Sequence, residues 1–442
     1  MSLFRTRARR TAVILTALAT SAAALSVAAP AQAANRVTPG NFTGYGFDQC
    51  LAPTQSAMDR WLTHSPFQAV GIYISGDSRA CRSQPNLTRR WISTQLANDW
   101  RLLPITLGPQ ASCSTRFPRY GNDPVINYRP ANRYGGARKQ GRREAVDAVR
   151  AAKALGISPR STLWYDLEAF DIRGTNCRES ALSFLSAWTN KLHGLDYVSG
   201  VYSSAASGIK VLDDAMTNRP GKYSIPDQVW IADWNGRADV LSSYVRRDSW
   251  MPHARVHQYR GGHNETHGGV TINIDSNFLD LGRGSVAPAA RQSCGVRINF
   301  REYEPLTIGS VSARVSAIQC LLTNRRLYTG ELGTRYNRKT DRAVRAYQTS
   351  HSLPVGGGTT LRTWTAILSE GRAPVVKRGS GSHPVRRLQR ALNAAGNPGL
   401  KVTGVFNAKT TAAVQSFQRR RNQAQTGVAA GNTWAQLKSG RR

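Results

Sequence analysis

Acidic side chains are scarce in this chain. It has 26 Asp and Glu against 60 Lys and Arg, and a formal net charge of +34. It also has only six cysteines, at positions 50, 81, 113, 177, 294 and 320, and no two of them form a C-x-x-C pair. That absence excludes the usual thiolate zinc sites. Beyond the first 30 or so residues there is no apolar run of about 20, the length a membrane-spanning helix requires. So no membrane span is expected after the N-terminal segment.

That N-terminal segment has the order of an export signal. Arg5, Arg7, Arg9 and Arg10 are followed by an apolar, Ala-rich stretch over 11–25, then by Ala31-Gln32-Ala33, an A-x-A cleavage pattern. Residues 1–33 are therefore expected to be a signal peptide. The Arg9-Arg10 pair raises the twin-arginine route, although the residues after it fit that motif poorly. An exported chain with an even cysteine count points to three disulfides. The loop order of the fold expected below pairs Cys50 with Cys81, Cys113 with Cys177, and Cys294 with Cys320. Export also changes how the charge is read. Residues 294–442 hold 25 basic side chains against 5 acidic, while residues 34–293 hold 31 against 21. In a cytoplasmic protein such a tail points to nucleic acid. Outside a bacterial cell the abundant polyanions are wall polymers, where a basic module concentrates, with no nucleic acid expected. The competing reading is a merely solubilising surface.

With acids so few, a close pair is informative. Asp166 and Glu168 end the run Ser161–Glu168, in which apolar and β-branched residues lead into the two carboxylates. On a strand, residues i and i+2 share a face, roughly 6.5 Å apart along the backbone. Neighbouring carboxylates repel and desolvate badly, so such a pair at the end of a buried strand is poor for stability. It suits glycoside cleavage, where one group protonates the leaving oxygen and another handles charge at the sugar carbon. The plain alternative is an acid pair held by Arg residues of a loop.

Eight short runs read as strands, at 44–48, 69–75, 101–107, 162–168, 197–203, 228–233, 254–259 and 270–275. Helical patterns separate most of them, at 53–64, 86–100, 136–155, 178–193, 205–218 and 237–246, with Asn86 and Ser180 as candidate N-caps. The size and rhythm predict an α/β fold, a (β/α)8 TIM-type barrel over 41–282. In such a barrel the strand C-termini form the active-site face. Asp48, Asp166 with Glu168, Asp233 and Asp275 all end strands, with Gln258, Tyr259, Tyr73 and Tyr202 close to strand ends. Acids from strands distant in sequence thus converge on one mouth. His257, His263, Glu265 and His267 raise a metal, but flanking Gly261-Gly262 and Gly268-Gly269 favour a loop, so no metal and no cofactor are expected.

After a linker at 283–309, an internal repeat runs at a constant offset of 70 residues. Val315 matches Val385, Gln319 matches Gln389, Asn337 matches Asn407, Gln348 matches Gln418 and Trp364 matches Trp434. Each copy, over 310–369 and 382–438 with a linker at 370–381, reads as three short helices. The paired Trp residues are expected to pack in small cores.

The repeats resemble the peptidoglycan-binding domains appended to wall hydrolases. The resemblance rests on Val385, Leu388, Gln389 and Leu392, on Ala413-Val414 with Phe417-Gln418, and on Thr433-Trp434. Asn337 and Asn407 stand where that family usually has Gly. The barrel resembles family 25 glycoside hydrolases of the lysozyme type, and more closely a glycoside-hydrolase-like domain of exported proteins. Gly46-Phe47-Asp48, Gly71-Ile72-Tyr73-Ile74, Asp166-Leu167-Glu168, Trp230–Trp234 and Ile274–Asn277 carry this resemblance. It implies a muramidase-type target, the β-1,4 bond of peptidoglycan glycan strands. On this reading Glu168 is the general acid, and Asp166 or Asp275 supports charge at the sugar carbon or steers an acetamido group. Asp48 joins the catalytic set. Asp233, Gln258, Tyr73 and Tyr202 position substrate, and Trp234 and Tyr259 either stack on sugar faces or pack between the barrel and its helices. The alternative is a non-hydrolytic wall-glycan binder built on an inactive barrel.

Overall fold

The computed structural model describes residues 35–442 except 117–118, 120–122 and 291–293. The expected signal peptide lies outside the described residues. Eight strands close into a barrel in sequence order: β1 (Phe42–Asp48), β2 (Phe67–Ser75), β3 (Arg101–Thr106), β4 (Thr162–Asp166), β5 (Val198–Ser204), β6 (Gln228–Ala232), β7 (Ala254–His267) and β8 (Val270–Leu281). Helices α1 (Gln55–His64), α2 (Arg89–Ala97), α3 (Ala131–Leu155), α4 (Thr175–His193) and α5 (Lys210–Asn218) link successive strands, α5 after a single π-helical turn at Ala205–Ile209. The barrel interior is filled by side chains, among them Leu103, Ile105, Trp164, Trp230, Val256 and Leu279. Trp164 and Trp230 meet edge to face at 5.6 Å. Room for Trp164 comes from Gly200, where a Cβ would stand 2.5 Å from the indole.

The barrel closes as expected, but its last strand runs the other way. β8 is antiparallel to both β7 and β1. Only Gly268 and Gly269 separate β7 from β8, both at positive φ. A parallel return takes a dozen or more residues, whereas a two-residue turn with φ > 0 makes a hairpin. Residues 261–267 of the expected loop at 261–269 are therefore strand, and the outer part of the hairpin covers α1. The Trp61 indole N–H donates to the Val270 carbonyl at 3.0 Å, and the His267 ring meets Trp61 edge-on.

Two other local expectations are corrected. Residues 237–246 form turns, not a helix, because Asn235 and Asp239 accept from the backbone N–H groups of Arg237 and Leu241 and so compete with helical bonding. The N-cap of α2 is Thr88 in place of Asn86, and Ser180 lies inside α4, where it donates back to the Cys177 carbonyl.

Each C-terminal repeat has three helices: α6 (Ala313–Thr323), α7 (Arg338–Ser350) and α8 (Leu361–Ser369), then α9 (His383–Ala394), α10 (Ala408–Arg420) and α11 (Gly431–Lys438). Both copies share one continuous core. The matched residues are structural. Asn337 and Asn407 cap α7 and α10. Gln319 and Gln389 donate to Thr340 and Thr410. Trp364 and Trp434 are fully buried, and their N–H groups donate to the carbonyls of Glu304 and Pro374.

The second repeat is seated on the end of the barrel opposite the mouth. Lys377 donates to the carbonyls of Leu62 and Ser65 at 2.7 and 3.1 Å, at the C-terminus of α1, with its ammonium over the Trp100 ring. Arg378 lies over Tyr45 and Phe278. The cysteines pair as Cys50–Cys81, Cys113–Cys177 and Cys294–Cys320. Among the described residues no helix is long and apolar enough to cross a membrane.

Candidate active site

The C-terminal ends of the parallel strands open on a cavity of about 350 Å³ lined by Asp48, Tyr73, Asp166, Glu168, Tyr202, Trp234 and Asp275. Asp48 and Asp166 are the last residues of β1 and β4. Alternation along β4 turns Trp164 and Asp166 into the barrel and sends Tyr165 outward onto Phe184 and Trp188. Asp275 reaches the same mouth by another route. It lies mid-strand on the reversed β8, directly opposite Asp48.

Glu168 lies beyond the end of β4, and a buried amide sets its position. Gln110 donates to the Asp166 carbonyl at 2.9 Å and accepts from the Glu168 N–H at 2.8 Å. Beneath the acids, Gly71 leaves the space that Asp48 and Trp230 occupy; a Cβ there would come within 2.5 Å of Asp48 Cβ.

The acids differ in their surroundings. Asp166 accepts from the Tyr73 hydroxyl at 3.2 Å, while its Oδ1 is buried with no hydrogen-bond partner among the described residues. Burial, then the nearby Glu168, pushes its carboxyl well above the usual range. Asp48 accepts from Asn277 at 2.6 Å and from Gln258 at 3.2 Å. Burial, then Asp275, raises it to about 8. Glu168 is raised by burial, but Arg116 opposes the shift through an ion pair at 2.9 Å. Asp275 is raised by burial too and accepts from the Gly262 N–H.

Gln258 is the hub behind this floor. It donates to Asp48 and Asp275, and its oxygen accepts from Tyr202 at 3.1 Å and from the Trp234 indole at 2.9 Å. Trp234 is 67% exposed, so its edge is pinned while its face is open. Three expected site residues do not line the cavity: Gln258, which lies behind its floor, Tyr259 and Asp233. Tyr259 follows Gln258 on β7 and so points to the other face, beside His257. Asp233 lies past the end of β6, and its carboxylate accepts from Asn235.

Sequence reasoning assigned no role to Asn277, Gln110, Arg79, Arg116 or Arg119. Asn277 is two residues from Asp275 on one strand, so i, i+2 spacing would have found it. Nothing in the local pattern marks Gln110. The arginines sit on loops after β2 and β3 and line the same cavity. Arg116 partly realises the plain alternative of loop arginines holding the acids: it pairs with Glu168, while Asp166 has no ion pair among the described residues. Glu265 lies between His263 and His267 on β7 and binds each imidazole through a different oxygen. Among the described residues no cluster of three or more His, Cys, Asp or Glu is arranged to hold a metal ion.

The Rv2525c-like, glycoside hydrolase-like domain family model matches residues 59–279, and the peptidoglycan binding domain model matches 311–367 and 382–437. Among solved structures, an uncharacterized B. stearothermophilus protein is similar at 18% identity and TM-score 0.33, covering 53% of this chain and 95% of its own. The Mycobacterium tuberculosis Tat-secreted protein Rv2525c, in complex with L-tartrate, is similar at 13% identity and TM-score 0.36, covering 54% and 95%. A family 25 glycosyl hydrolase from Bacillus anthracis is similar at 13% identity and TM-score 0.32, covering 55% and 91%. No curated protein matches the chain.

Proposed function

This chain belongs to the Rv2525c-like, glycoside hydrolase-like domain family, and we propose that it is an exported, wall-located muramidase-type hydrolase held on peptidoglycan by its two C-terminal repeats. The observation that carries this reading is the single cavity lined by Asp48, Asp166, Glu168 and Asp275, with an open indole face at its rim. Peptidoglycan supplies both a strand for the cavity and a ligand for the repeats. The basic C-terminal region adds attraction to anionic wall polymers.

In this mechanism Glu168 protonates the leaving glycosidic oxygen, since burial holds its carboxyl above the ordinary range. Asp275 and Asp166 face the sugar from two strands and support charge at its anomeric carbon or orient its acetamido group. Gln258 fixes Asp48 and Asp275, and Trp234 offers a stacking face. Glu168→Gln keeps shape and hydrogen-bonding reach but has no proton to give. It is expected to cut release of new reducing ends from purified walls by about 10²–10⁴-fold, with wall binding unchanged. The Arg116–Glu168 ion pair favours the second reading, a glycan binder whose acid is occupied. If the wild type releases no reducing ends from any wall, that binder is the function.

A further inference from the structure

We propose that the barrel mouth selects its glycan by a free carboxylate on the bound sugar or its substituent, and that Arg116 is the residue that reads it. The proposal rests on the barrel being a glycan site and adds the substrate class. Arg79, Arg116 and Arg119 line the cavity that holds the four carboxylates. Around a neutral, chitin-like strand they would have only the acids of the floor to balance.

Arg116 is placed for exchange. Its side chain is 62% exposed, while that of its partner Glu168 is 14% exposed. Because the guanidinium faces solvent, an incoming carboxylate reaches it directly, and Glu168 left without its partner takes up a proton in place of the pair. Arg79 is anchored differently: it donates to the carbonyls of Gly76 and Tyr73, which fix its direction, with Asp77 the acid that acts on it. The floor opposes an anion less than four acids would. Asp48 is raised to about 8 and so holds its proton near neutral pH, and burial shifts Asp166 in the same direction. The mouth is therefore a positive rim over a partly neutralised floor, and a planar guanidinium matches a carboxylate two bonds at a time.

Recognition and chemistry are then coupled. While Arg116 pairs with Glu168, it favours the charged form of that carboxyl. A substrate carboxylate that takes Arg116 removes this bias and lets Glu168 hold the proton it delivers. A neutral strand leaves the pair intact. Two sources supply the carboxylate: the lactyl group of a muramoyl sugar freed of peptide, or an acid on the stem peptide.

Equilibrium binding to the full chain tests this with ligands that contain no cleavable glycosidic bond. They are N-acetylmuramic acid, its methyl ester, muramoyl dipeptide and N-acetylglucosamine. Wild type is expected to bind N-acetylmuramic acid or muramoyl dipeptide about tenfold or more tighter than the ester and N-acetylglucosamine, the effect of one charge-assisted hydrogen bond. Which acid wins identifies the source. Arg116→Ala should erase the preference, and Arg116→Lys should restore part of it. Equal affinity for acid and ester, or a preference that survives in Arg116→Ala, overturns the proposal. Its failure is separable from failure of the hydrolase reading, because reducing-end release is scored on walls and the carboxylate preference on uncleavable sugars.

Discussion

Asp48 lies between two amides and a second carboxylate, and its protonation follows from that setting. Asn277 and Gln258 donate to it, while burial and Asp275 raise it from 3.8 to about 8. A folded pKa above the unfolded one means that the fold holds the proton more tightly. The stability tied to this group is complete below pH 3.8 and is lost as pH rises through about 8. Asp48→Asn keeps an oxygen for the Asn277 amide and removes the titration. Melting temperature should therefore fall more steeply for wild type than for Asp48→Asn between about pH 5 and pH 9; parallel curves would mean that Asp48 is already ionised at neutral pH. At this scale the sequence was readable where strand alternation applies. Asp48, Asp166 and Asp275 ended up at one mouth, with Gln258 behind its floor. It was unreadable where position depends on loop paths: Arg116 and Gln110 reach Glu168 from a long connection after β3 that carries no periodicity. Tyr259 shows the limit of strand-end reasoning, since two adjacent strand residues cannot both face inward.

The β7–β8 hairpin is the element least like its expected form, and its turn explains why. Ending β7 at Tyr259 hid eight further strand residues, because Gly261, Gly262 and the alternating polar residues after them look like loop. The informative signal was Gly268-Gly269, a two-residue hairpin turn. Reading it would have reversed β8 and moved Asp275 from a strand end to mid-strand, with no change in which cavity it faces. The two glycines are not equivalent. Gly268 is at φ +58° and a Cβ there would meet the His64 ring at 2.9 Å, whereas nothing lies within 4 Å of one at Gly269. Gly268→Val combines a β-branched residue in the left-handed region with that contact, and is expected to destabilise by about 2–3 kcal/mol. Gly269→Asn should be nearly neutral, since Asn tolerates that region. Chemical denaturation of both variants checks the pair. Equal midpoints would remove the claim that the turn fixes the hairpin on α1. By contrast, α1, α3 and α4 were visible because apolar spacing over 10 to 25 residues sums many weak preferences.

At the scale of the whole molecule, one repeat has been turned into a fitting for the barrel. The offset of 70 residues aligns Thr307 with Lys377 and Ser310 with Ser380, and the local turn is the same, Thr307 and Lys377 each donating a backbone N–H to the aligned serine. Thr307 is exposed, whereas Lys377 is 1% exposed. Its ammonium satisfies carbonyls at the C-terminus of α1, where the helix dipole favours a cation. Burial pushes that group well below the usual lysine range, with Asp99 opposing, and the backbone carbonyls and the Trp100 face hold it in place. The repeat was plain in the sequence because a dozen matches share one register; the docking was not, since a lone lysine in a basic linker has no signature. Lys377→Ala removes the bonds and leaves a cavity under Trp100, for an expected loss of about 2–4 kcal/mol at that junction. Because α9–α11 share a core with α6–α8, both repeats should come away from the barrel as one body. The variant should then melt in two steps where wild type melts in one, and protease should cut more readily between the barrel and the repeats. Thr307→Ala, at the aligned position, should change neither. A single unshifted transition in Lys377→Ala would show that the Arg378 contacts with Tyr45 and Phe278 hold the junction without it.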